Sequence, residues 1–134
     1  MAGGPDAIAP DGSEIYALGE APPDAGAAPA GATPHRASLV EVRLPPGRTS
    51  RPVRHRTVEE TWYVLEGTGQ VWREPPDEQD RITDVGPGSV LVIPTGWAFQ
   101  FSAGTDGTLR ILCFTSPPWP GEAEAEPVEQ GGLD

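Results

Sequence analysis

The stretch GRTSRPVRHRTVEETWYVLEG (47–67), joined later by GSVLVIPTGWAFQFSA (88–103), decides how this chain is read. TWYVLEG (61–67) and GQVWRE (69–74) are rich in β-branched and aromatic residues. They meet at Gly67-Thr68-Gly69, which predicts two strands joined by a tight glycine hairpin. Side chains two apart on a strand share a face. Glu60, Trp62 and Val64 therefore point one way, and so do Phe99 and Phe101.

Working outward, SLVEVRL (38–44) alternates apolar and polar residues, the period of a half-buried strand. SVLVIP (89–94) is a short buried strand stopped by Pro94, and TLRILCFT (108–115) is the last long one. LPPG (44–47), EPPDEQDR (74–81), GPGS (86–89) and GTDG (104–107) are turns or polar loops. No segment holds a helical period. Short strands broken by turns at intervals of about 8–12 residues predict an all-β sandwich or barrel.

The flanks differ in composition. Residues 1–34 are rich in Gly, Pro and Ala and read as a flexible N-terminal arm, in which GSEIYALG (12–19) can add a strand to a sheet edge. Residues 35–116 form the barrel domain. Residues 117–134 are a Pro-rich, then acidic tail, in which Trp119 can dock on the barrel while the last residues are solvated.

A length of 134 residues suits one core. No apolar run approaches the roughly 18 residues needed to span a bilayer, and the N-terminus lacks a secretory pattern. The expectation is a cytoplasmic protein without membrane contact. The net charge is −11, and the nine basic residues are dispersed arginines, which argues against a nucleic-acid partner. Cys113 is the single cysteine, so an internal disulfide is excluded; its apolar surroundings mark a buried structural thiol.

The order and spacing of Gly47, His55, Glu60 and Gly67, and then of Gly88, Pro94 and Gly96, resemble the paired motifs of the cupin superfamily over about 80 residues. HRTVEETWYVLEGTGQVWR, PTGWAFQF and PPWPGEAEA further resemble a subgroup of small single-domain bacterial cupins. The resemblance implies a double-stranded β-helix, a jelly-roll-like barrel of two antiparallel sheets, and a homodimer. It places His55, Glu60, Val53, Trp62, Val64, Phe99 and Phe101 around a central pocket. A typical cupin holds a divalent metal with three histidines and one glutamate. Here Val53 and Phe99 stand at two of the histidine positions and Ala103 at the asparagine position, leaving His55 and Glu60. That set implies either no cofactor or a weakly held Fe, Mn, Zn or Ni ion on His55 and Glu60, with His35 as one way to complete it.

Three functions remain open on these residues. In the first, His55 and Glu60 are catalytic and move a proton in an isomerisation, cyclisation or elimination of a small molecule, in specialised metabolism. In the second, a metal-dependent oxygenase works with a reduced ligand set. In the third, the aromatic cavity binds or senses a ligand without catalysis. Arg51, Arg54 and Arg56 flank His55 and could draw an anionic ligand to the pocket mouth, although alternation turns Arg54 and Arg56 away from it.

Overall fold

The computed structural model describes residues 4–17 and 36–133. Eleven strands are present among them: β1 (Ala7–Ile8), β2 (Glu14–Ala17), β3 (Ser38–Leu44), β4 (Val53–His55), β5 (Glu59–Glu66), β6 (Gly69–Glu74), β7 (Arg81–Val85), β8 (Val90–Ile93), β9 (Ala98–Ala103), β10 (Leu109–Ser116) and β11 (Ala125–Pro127). One sheet runs β1-β2-β3-β10-β5-β8 and the other β11-β4-β9-β6-β7, and every pairing is antiparallel. This is the expected barrel of two antiparallel sheets. None of the described helices is long and apolar enough to cross a membrane.

Alternation in the sequence becomes alternation in burial. On β10, Leu109, Ile111, Cys113 and Thr115 are buried while Arg110, Leu112 and Phe114 face out. On β5, Glu60, Trp62 and Val64 are buried. Val42, Trp62 and Ile111 of the first sheet meet Val53, Val71, Phe99 and Phe101 of the second in one apolar core. The hairpin between β5 and β6 requires glycine at Gly67: its φ is +88°, and a β-carbon would run into the Thr108 carbonyl.

The flanks are more ordered than the sequence implies. Within the expected arm, GSEIYALG does add a strand to a sheet edge: β2, in a hairpin with β1, pairs through Tyr16↔Glu41 and Ile15↔Val42 onto β3 of the same chain. Residues 1–3 and 18–35, His35 among them, lie outside the described residues. The expected solvated tail is also built in. β11 pairs with β4, and the Leu133 N–H donates to Gln100 Oε1 at 2.8 Å. Gly132 lies so close over Trp72 that a β-carbon there would strike the indole. An outward Trp72 and Gln100 need covering. The tail supplies that cover, so Trp72 is not left for a second subunit. RITDV, unassigned in the sequence, forms the edge strand β7, where only Val85 is buried.

The tail also holds the turn between β4 and β5. Glu124, in a single 3-10 turn (Glu122–Glu124), is buried. Its carboxylate accepts the Thr57 N–H, the Thr57 hydroxyl at 2.7 Å and the Val58 N–H at 2.8 Å. The Arg56 N–H donates to the Glu124 carbonyl at 3.0 Å, and the Gly96 N–H to the His55 carbonyl at 3.1 Å. Burial pushes the Glu124 carboxyl up, but hydrogen bonds from Thr57 and Val58 and the neighbouring His55 outweigh it and hold the group below its ordinary value. Arg54 and Arg56 pair with Glu126 of β11, at 3.8 and 3.2 Å, so their carboxylate partner comes from the tail.

On the outer face of β3, Glu41 is buried between Arg110, 2.8 Å away, and Arg43. Arg43 stacks over the Tyr16 ring of the N-terminal hairpin at 4.0 Å. The hydrogen bond from Arg110, opposed by burial and joined by Arg43, lowers the Glu41 carboxyl to about 2.

Two predictions follow from these carboxylates. Glu41 and Glu124 both have depressed values in the folded state, so their stabilisation is complete above the ordinary carboxylate value of 4.5 and is lost on acidification, for Glu41 as pH falls toward about 2. Thermal unfolding followed across that range should show the melting temperature falling with pH, and Glu41→Gln should flatten the fall. Glu124→Gln should destabilise the fold by about 1–3 kcal/mol at neutral pH, because an amide cannot accept all three hydrogen bonds as well; urea unfolding measures this.

Candidate active site

His55 ends β4 and Glu60 lies one residue into β5, with the clamped turn between them. Both are buried, His55 to 5% exposure and Glu60 to 7%. They share the wall of a cavity of about 270 Å³ between the two sheets. Val53, Trp62, Phe99 and Phe101 also line it. Val64, expected there too, does not: it is packed in the core at 1% exposure, one strand step deeper than Trp62.

Glu60 is held at both oxygens. Oε1 accepts the Trp62 indole N–H at 2.9 Å and Oε2 accepts the Thr115 hydroxyl at 3.0 Å. With its one proton given to Glu60, Thr115 accepts from the Cys113 thiol, 3.7 Å away. Burial, and after it the charge of Glu60, pushes the Cys113 thiol well above its ordinary value, so it stays protonated and inert, as its apolar setting in the sequence implies.

His55 is held by aromatic edges. Phe99 and Trp119 lie 4.9 and 5.1 Å from its ring centroid, both edge-on. Trp119 thus docks from the Pro-rich tail onto the barrel, with its N–H donated to Ser38 Oγ at 3.3 Å. Trp62 packs edge-on against Phe99 and Phe101, at 5.5 and 5.0 Å. The His55 Nδ1 lies 3.9 Å from Glu60 Oε2, too far for a hydrogen bond, and is buried with no hydrogen-bond partner among the described residues. A buried polar atom left in this state is uncommon in folded proteins.

Sequence reasoning missed Asp11. It sits in the turn of the N-terminal hairpin, lines the same cavity, and is buried together with Ser13. Its Oδ1 accepts the Ser13 N–H at 2.9 Å and the Ser13 hydroxyl at 2.6 Å, an Asx turn. The Asp11 carbonyl accepts the Arg51 N–H at 2.8 Å, fastening the turn to the barrel. Burial raises the Asp11 carboxyl above its ordinary value; the Ser13 bonds oppose this, Glu60 adds to it, and His55 lowers it. The local signal was Pro10-Asp11-Gly12-Ser13, a turn sequence, but nothing local says which surface the turn docks on.

The arginines flanking His55 take no part. None of Arg51, Arg54 and Arg56 lines the cavity, and no other arginine among the described residues does. For the weakly held ion that the resemblance allows, the described residues offer His55 and Glu60: Val53 and Phe99 carry no lone pair, and no group of three His, Cys, Asp or Glu among the described residues is placed to hold an ion.

Among curated proteins, none matches this chain. Solved structures do. CapF of Staphylococcus aureus, a capsular polysaccharide assembling protein, is 20% identical over 73% of this chain and 30% of its own, with a TM-score of 0.65. Pac13 of Streptomyces, a nucleoside dehydratase also solved with uridine, is 14% identical over 88% of this chain and 79% of its own, with a TM-score of 0.63. Oxalate decarboxylase from Bacillus subtilis is 23% identical over 70% of this chain and 24% of its own, with a TM-score of 0.63. The chain therefore spans under a third of CapF and of the decarboxylase, and the likeness is one of fold. The family model of the Cupin domain matches residues 40–115, more than half of the sequence. With that match, the two-sheet barrel and the spacing of its glycines, the chain belongs to the cupin family.

Proposed function

We propose that this cupin is a small-molecule enzyme of the proton-transfer type, working through His55 and Glu60 in the apolar cavity. The observation that carries the reading is the buried, unpartnered Nδ1 of His55 on the cavity wall, 3.9 Å from a carboxylate fixed by two other donors. A substrate seated against Trp62 and Phe99 completes the hydrogen bonding of Nδ1. His55 then exchanges a proton with it, and Glu60 stabilises the imidazolium form without itself moving. Such positioned acid–base catalysis contributes typically ~10²–10⁴-fold. Isomerisation, cyclisation and elimination all need this step; Pac13, a dehydratase, carries out an elimination on the same fold.

The chain acts as a homodimer in this reading. Leu39, Phe114 and Val92 lie in one row across β3, β10, β5 and β8, and Tyr63 and Val90 in the next, all exposed. The rows reach β8, the open edge of the sheet, so a second copy that covers them also protects that edge.

Incubating the protein in D2O with a small-molecule extract of its producing cells should yield a compound that gains solvent deuterium, read by mass spectrometry. Glu60→Gln and His55→Ala should each lower that incorporation by about 100-fold or more, with the Glu60→Gln melting temperature shifted by only a few degrees. Incorporation that survives both substitutions would contradict the assignment. In sedimentation, the native chain should run as a dimer and Phe114→Glu as a monomer; a monomeric native chain would remove the second copy.

A further inference from the structure

We propose that the cavity takes a small organic cation, an amine with an apolar or aromatic body, whose charged nitrogen faces Asp11 and Glu60. This rests on reading the cavity as a small-molecule site, not on the proton-transfer step.

The charge of the lining sets the ligand class. Three carboxylates, Asp11, Glu60 and Glu122, line the cavity, and no arginine does; the chain has no lysine. Among the described residues, a ligand carboxylate or phosphate would meet no arginine there, and it would face two buried acids in a low-dielectric space. An ammonium group reverses that sign. It relieves the repulsion between Asp11 and Glu60 and brings a polar hydrogen-bonding group to the side of the unpartnered His55 Nδ1.

The remainder of the wall suits the remainder of such a molecule. Trp62, Phe99, Phe101 and Trp119 line the cavity, and aromatic faces attract cations as well as apolar groups. A volume of about 270 Å³ lies at the small end of ligand pockets, which restricts the occupant to a single-ring or short-chain amine. Asp11 arrives on the N-terminal hairpin rather than on the family's barrel strands, so the preference is specific to how this chain closes its barrel.

The test compares three probes of one shape by calorimetry on the full chain: 2-phenylethylammonium, 2-phenylethanol and phenylacetate. The ammonium should bind about ten-fold or more tighter than phenylacetate, with the alcohol between them. Asp11→Asn keeps an oxygen for Ser13, so the turn persists. It should shrink the ammonium-over-phenylacetate ratio about five-fold while leaving 2-phenylethanol within about two-fold. Phenylacetate binding as tightly as the ammonium, a ratio unchanged by Asp11→Asn, or binding of none of the three would each overturn the inference. Amine binding without deuterium incorporation from any substrate would instead remove the proton-transfer reading and leave this one standing. Deuterium incorporation into an anionic substrate would do the reverse.

Discussion

The Glu124 carboxylate, buried under the turn between β4 and β5, is the interaction on which the site depends. A turn that enters a barrel end strands its N–H groups away from both sheets, and buried donors of that kind must find acceptors. Here the acceptor comes from nearly seventy residues further along the chain, since Glu124 receives Thr57 and Val58. Because the same turn separates His55 from Glu60, its conformation sets the distance between imidazole and carboxylate. The tail is therefore part of the site's framework, although it touches the cavity only through Trp119, Glu122 and Ala125.

Closure of the barrel comes from both ends of the sequence. The N-terminal hairpin extends the first sheet beyond β3 and brings Asp11 and Ser13 inward. The tail extends the second sheet beyond β4 and lays Trp119 against His55. A small barrel with both mouths open would leave its polar interior groups in water, where a carboxylate and an imidazole interact weakly. Closing it makes their interaction stronger and the fate of each proton more consequential. The rings of Trp62, Phe99 and Phe101 then do two things: they fill the barrel and they shape the cavity that remains.

Much of this was legible in the sequence, and what was not has a common physical cause. Period-two alternation identified β3, which buries one face against the core, and β-branched and aromatic runs bounded by turns marked β5, β6 and β10. The spacing of Gly47, His55, Glu60, Gly67, Gly88, Pro94 and Gly96 located the pocket and its polar pair. Asp11 and Glu124 escaped notice because their roles are set by docking across the fold, while their local settings, a Pro-Asp-Gly turn and an acidic run, are those of solvated surface. What covers Trp72 is likewise set by the tertiary course of the tail, which brings Gly132 against its indole. Val64 followed the right face of β5 and is buried in the core, but alternation does not tell which residues of that face line the cavity.

The central claim is that the His55 Nδ1 stands ready for a ligand beside the cavity between the two sheets, with Glu60 held back by Trp62 and Thr115. A crystal structure resolved well enough to place ordered water tests it most directly. The expected result is a small molecule or an ordered water within hydrogen-bond reach of Nδ1, with both donors still on Glu60. An imidazole turned onto Glu60 in a direct hydrogen bond, with the cavity filled by the surrounding side chains, would contradict it.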